Sequence, residues 1–185
     1  VPAFAHPVGT ATMIPGHGET HRRLMGAYAH TAVLTGMIHD LSAGSVSPRG
    51  DLGLHIDYYP DEGDLGELRR GLWACAKLLL AAGAEEVMVP GRRPITLRPG
   101  DDPEPLLGEP LRPGDLPLTA VHPMSSVRMD DDPARAAVSS QGKHHHLGGL
   151  WVADGSLFPT SIGGPPQLSI YAMGLHVGRA LTRAG

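Results

Sequence analysis

One cysteine, Cys75, stands in a chain of 185 residues, so no internal disulfide framework exists, and such sparing use fits a reducing compartment. Aromatic residues are scarce at 4%, which leaves Leu, Val, Ala, Ile and Met to build the core. No apolar run approaches the roughly 20 residues that cross a bilayer, so no transmembrane segment is expected. A basic stripe is also missing. Lys and Arg number 15 against 19 Asp and Glu, the net charge is −4, and the arginines are scattered, so nucleic-acid binding finds no support. No secretory signal is visible, and a cytoplasmic location is expected. The first residue is Val1 rather than Met, and the chain reads as a piece of a longer protein.

What is present is 41% apolar residues, enough for a core, with 25 Gly and 18 Pro, which points to many turns rather than a regular bundle. Residues 1–19 read as loop. A helix from Thr20 leads to a short strand near 34–39, residues 45–50 turn, and Leu54-His55-Ile56-Asp57-Tyr58 alternates as a strand does. The plainest element follows. Asp64 and Glu67 form a capping box, and Leu65, Leu68, Leu72, Ala76 and Leu79 recur at helical spacing until Gly83 stops the helix. Residues 86–89 read as a strand, and 90–117, rich in Pro, Gly and Asp, as a surface excursion or linker.

A different texture begins at Leu118: a short strand-like segment into His122, a loop to about Gly149, a strand over 150–153 ended by Asp154-Gly155, and a last helix from about Pro166 to Thr182. No charged residue lies between Pro165 and Arg179, so that helix is expected to be buried nearly all round. Its amino end carries unpaired N–H groups and a partial positive charge, which favours an anion or an electron-rich group there.

Among the 11 histidines, Lys143-His144-His145-His146 invites a metal. Consecutive strand residues face opposite ways, and no Cys or carboxylate stands at ligand spacing, so a solvated loop is the better reading and no metal is expected. Asp154-Gly155-Ser156 lacks the glycine frame of a nucleophile elbow. Gly16-His17-Gly18 is too short for a dinucleotide loop. On spacing alone His122 is a structural histidine, fixed out of a helix by Pro123.

Three segments taken in order change that reading: HPMSSVRM (122–129), LWVADGSLFPT (150–160) and PPQLSI (165–170). Together they resemble the C-terminal region of the glucose–methanol–choline family of flavin oxidoreductases, with its H-P-x-G-T-x-R-M, L-Y-V-x-D-[GA]-S-x-x-P-T and N-P-x-x-T-I motifs. The likeness spans 119–182. HDLSAGSVSPRGD and GELRRGLWACAKLLLAAGAEEV, within residues 20–90, are more loosely similar to bacterial long-chain alcohol oxidase-like members.

The resemblance implies an α+β chain that is the C-terminal part of a two-domain fold. Residues 1–118 would be part of an antiparallel-sheet substrate domain, and 119–185 the returning strand and helix of a Rossmann-like FAD domain. It implies FAD as cofactor, a small-molecule alcohol as substrate, and the N-terminal FAD-binding part of the same protein as partner. His122 would be the catalytic base. Asp154 and Gly155 would lie by the ribityl–pyrophosphate part, and the helix start at Pro166, with backbone at Gln167 and Leu168, would face the flavin's pyrimidine end. Two departures stand out. Ser125-Ser126 replaces the family's Gly-Thr, and Pro165 falls where relatives keep an Asn or His beside the catalytic His. The rival expectations are a non-catalytic flavin-binding or interaction relative that lost this second group, and a free-standing His-rich metal module.

Overall fold

The computed structural model describes residues 6–51 and 53–184. It mixes helices with two small antiparallel sheets of two strands each. The chain divides into two compact units: Val1–Ile38 with Ser42–Leu118, and His39–Leu41 with Thr119–Gly185.

The first unit is organised by α3, Glu62–Ala81. Its cap lies three residues earlier than the capping box suggests. Asp61 accepts the N–H of Asp64 at 3.0 Å. Asp64 is instead buried, and its carboxylate takes the Ser42 N–H at 2.8 Å and the Ser42 hydroxyl. Glu67 pairs with Arg70 on the outer surface. Gly83 ends the helix as expected. With φ at 91° it accepts the left-handed turn that lets Ala84 N–H reach Leu79 O at 3.0 Å. The inner face packs on β3 (Val87–Val89), β4 (Ile95–Leu97) and a 3-10 turn at Glu104–Gly108, enclosing Ala76, Val87, Val89, Leu97 and Leu106. Trp73 donates its indole N–H to Glu104 at 2.9 Å and carries Lys77 over its ring.

Four further sequence expectations fail in this unit. Residues 7–13 form a short helix, α1 (Pro7–Met13), because Pro7 suits a helix start and His6 Nδ1 accepts the Val8 N–H. The helix expected from Thr20 is α2, Gly18–Gly26, and the strand expected near 34–39 is reduced to a single bridge residue, Leu34. Residues 45–49 are a strand, β1 (Ser45–Arg49), paired with β2 (Gly53–Asp57) in the register Val46↔Ile56. Pro48 is tolerated there because a two-stranded ribbon has only edges. The excursion at 90–117 contributes β4 and the 3-10 turn.

The second unit holds little regular structure before α4, Gln167–Ala184. The strand-like segments expected at 118–122 and 150–153 do not form ladders; the latter is reduced to one bridge, Lys143↔Trp151. The unit is held by Val138, Leu157 and Val177, with Val127, Met129, Trp151, Val152 and Met173 packed around them. The expectation that α4 is buried nearly all round also fails within the unit. One face carries the buried Val177 and Ala180, while Leu168, Tyr171, Leu175 and Leu181 are exposed. Among the described residues no helix is long and apolar enough to cross a membrane.

Candidate active site

The three motif segments meet in the second unit. Residues 125–129 run alongside 155–157 through a backbone ladder: Ser125 N–H to Gly155 O at 3.3 Å, Val127 N–H to Ser156 O at 3.0 Å and Met129 N–H to Leu157 O at 3.3 Å. Alternate donors point one way, as in a strand edge, and Val127 and Met129 pack against the cluster around Leu157. His122 stands half-buried at the head of this run.

Asp154 closes the facing turn. Its Oδ1 accepts both the Ser156 N–H at 2.8 Å and the Ser156 hydroxyl at 2.6 Å, capping the 3-10 turn Gly155–Leu157. Gly155 is buried. A Cβ there would stand 3.2 Å from Ile170 Cδ1 and 3.3 Å from Pro123 O, so its own chain uses the space. This glycine thus lets the His122 loop and the first turn of α4 close on the same turn.

Pro166 is buried and its carbonyl accepts the first helical N–H, from Ile170, at 2.9 Å, which makes it the residue before the helix proper. Pro165 is exposed. Gln167 donates its side-chain N–H to Tyr171 Oη at 2.6 Å, and Leu168 is 83% exposed. The first N–H groups of α4 have no acceptor within the helix and open towards the surface with these residues.

Two features were not legible in the sequence. His39, from the short segment that joins this unit, places Nε2 3.4 Å from Thr160 Oγ1, and its Cβ lies 3.0 Å from where a Gly163 side chain would begin. The pair is 121 residues apart, and no local pattern announces it. Ser125 has φ at 71°, alone among the described non-glycine residues in that region. Its Oγ is likewise the sole buried side-chain oxygen or nitrogen among them without a hydrogen-bond partner.

The histidine tract is occupied structurally. His144 Nδ1 accepts the N–H groups of His146 and Leu147 at 3.1 and 3.0 Å, and His145 Nε2 donates to Asp130 O at 2.9 Å. Among the described residues no group of His, Cys, Asp or Glu is arranged to hold a metal ion. Nearby, hydrogen bonding from Ser140 holds the Asp131 carboxyl below its ordinary range, partly opposed by desolvation and aided by His145.

Comparison with known proteins bears on this arrangement. The model of the GMC oxidoreductase C-terminal region matches residues 40–174. A GMC-type oxidoreductase of Mycobacterium tuberculosis is 34% identical over 184 residues, covering 96% of this chain and 28% of that protein. A long-chain-alcohol oxidase of Arabidopsis thaliana is 29% identical over 185 residues, covering 93% and 25%. The 6'''-hydroxyparomomycin C oxidase of Streptomyces lividus is 30% identical over 126 residues, covering 68% and 19%. The long-chain-alcohol oxidases it matches are plant proteins, not the bacterial ones the sequence brings to mind. No solved structure matches. The chain spans about a quarter of the length of the first two of these relatives. With three ordered motifs on one turn and a family match over most of its length, this chain belongs to the GMC oxidoreductase family, as its C-terminal region.

Proposed function

We propose that this chain is the C-terminal portion of an FAD-dependent oxidoreductase that oxidises an alcohol, with His122 as the base. In this reading residues 1–118 are part of a substrate domain, and 119–185 return to an FAD-binding domain supplied by the N-terminal part of the same protein. The observation that carries it is the convergence on Gly155 of the His122 loop and the first turn of α4. Relatives named as oxidases of long-chain alcohols support the substrate class.

The residues present suit the cofactor. An 18-residue helix opens its amino end beside exposed Gln167 and Leu168, and such an end favours a polar, electron-rich edge. Asp154 caps its turn, and Ser125, whose Oγ is buried without a partner, is bonded to that turn through its backbone N–H. Backbone at Pro166, Gln167 and Leu168 would hold one edge of FAD, and the Asp154-Gly155 turn another part. Bound FAD supplies the acceptor for the substrate's hydride. His122 would take the hydroxyl proton; only that loss together with loss of the hydride from the hydroxyl-bearing carbon turns an alcohol into a carbonyl compound. The half-buried position of His122, three residues ahead of a segment bonded to the 155–157 turn, fits a base on an anchored loop.

A second reading is favoured by Pro165. Proline offers no side-chain hydrogen-bond group at the position where the resemblance expects Asn or His. A relative that binds flavin without turning over alcohols would carry such a change. The two readings separate in the full-length protein under anaerobic mixing with primary alcohols. Bleaching of bound flavin supports the oxidoreductase; bound flavin that stays oxidised with every alcohol supports the second reading.

A further inference from the structure

Ser125 is set apart by two independent features. Its backbone lies in the left-handed region, φ 71°, where a side chain is crowded and glycine is the usual occupant. Its hydroxyl oxygen is buried with no partner. Both costs disappear if the residue is glycine. The fold therefore gains nothing from this side chain, while strained, unsatisfied groups concentrate where a site uses them.

The surroundings say what use is open to it. The Ser125 N–H is engaged by Gly155 O, so the backbone is fixed against the Asp154–Gly155 turn and only the side chain is free to respond. The residue as a whole is partly exposed although Oγ is enclosed, so its hydroxyl reaches a bound molecule through a change of χ1 rotamer. A hydroxyl is neutral and both gives and accepts hydrogen bonds. It suits a neutral polar atom, a carbonyl or sugar-type hydroxyl, rather than a phosphate or an ion.

We propose that Ser125 is a cofactor-positioning residue, whose hydroxyl hydrogen-bonds a neutral oxygen of bound FAD at the Asp154–Gly155 turn, and that the chain tolerates a strained serine there for that contact. The inference rests on the flavin reading above. It accounts for the serine where the resemblance expects glycine, which the fold alone does not.

The test titrates the apo form of the full-length protein with FAD and reads three quantities: the FAD dissociation constant, the position of the flavin absorbance bands, and the apo melting temperature. Ser125→Gly removes both the strain and the hydroxyl. It is expected to raise the apo melting temperature, weaken FAD binding about fivefold or more, and shift the bands. Ser125→Ala removes the hydroxyl and keeps the strain. It weakens FAD binding to the same degree without the melting gain seen for glycine. Two variants that bind FAD within twofold of the parent, with unchanged bands, overturn the proposal while leaving the flavin reading intact. A glycine variant that melts lower than the parent also overturns it, since the serine would then be serving the fold. A parent protein that binds no FAD overturns both.

Discussion

Two helices of similar length, α3 with 20 residues and α4 with 18, meet their surroundings differently. Helix α3 is amphipathic in the ordinary sense. It is capped by Asp61, stopped at Gly83, faced inward by Leu65, Leu72, Ala76 and Leu79, and carries Arg70, Lys77 and a single exposed leucine, Leu78, outside, while Arg69 is largely buried and donates to Glu109 O. Its partners lie within its own unit. Helix α4 carries no acid in its first turn and has apolar residues on two sides, one against Val138 and Leu157, the other exposed at Leu168, Tyr171 and Leu175. A helix whose second side is apolar and exposed has more surface to bury than its unit provides. In the reading proposed above, the remainder of the enzyme covers that side.

The comparison is open to attack at several points. The largest effect is expected at Leu157, almost wholly buried at 1% exposure. Leu157→Ala should lower stability by about 2–5 kcal/mol in urea unfolding of the full-length protein, because a cavity opens under both α4 and the 125–129 run. Leu175 makes the sharper case. At 64% exposure it should matter little if this side of α4 faces water, by about 0.5 kcal/mol or less. If the side is covered, Leu175→Ala in the full-length protein should cost about 2 kcal/mol or more. A small effect would remove the contrast between the two helices.

On α3 the effect should be smaller. Asp61→Ala should cost about 1 kcal/mol as a lost cap, and Glu67→Ala, an exposed partner of Arg70, close to nothing. The reverse order would restore the capping box at Asp64. The smallest effect is a dependence on pH. The folded Asp131 carboxyl titrates below its unfolded value of about 3.8, so its contribution is complete above that pH and fades as pH falls towards the folded value. Asp131→Asn should lower stability slightly near neutrality, where the carboxylate's contribution is complete, and flatten the fall in stability below about pH 4.

How much was legible follows the same divide. Helix α3 was legible because its apolar period and its stop signal agree over 20 residues, although the cap fell on Asp61 rather than Asp64. The strands at 53–57 and 87–89 were legible from β-branched and alternating residues, but β1 was hidden by Pro48, which marks a turn more often than an edge strand. In the second unit the motifs told which segments matter, whereas their contacts are side-on ladders and turn caps with no period to read. His39 beside Thr160 and the left-handed Ser125 belong to that class, since one is a contact across 121 residues and the other a backbone angle. That Gly155 is hemmed in by Pro123 O and Ile170 was equally invisible, since both contacts come from segments far away in sequence.

The central claim is that His122, on the loop that closes over Gly155, removes the substrate's hydroxyl proton. Single-turnover reduction of the flavin by a primary alcohol, in the full-length protein and in His122→Ala with equal flavin content, tests it most directly. The account predicts that the reduction rate falls by about a hundredfold or more while flavin stays bound. A rate in His122→Ala equal to that of the parent would contradict it.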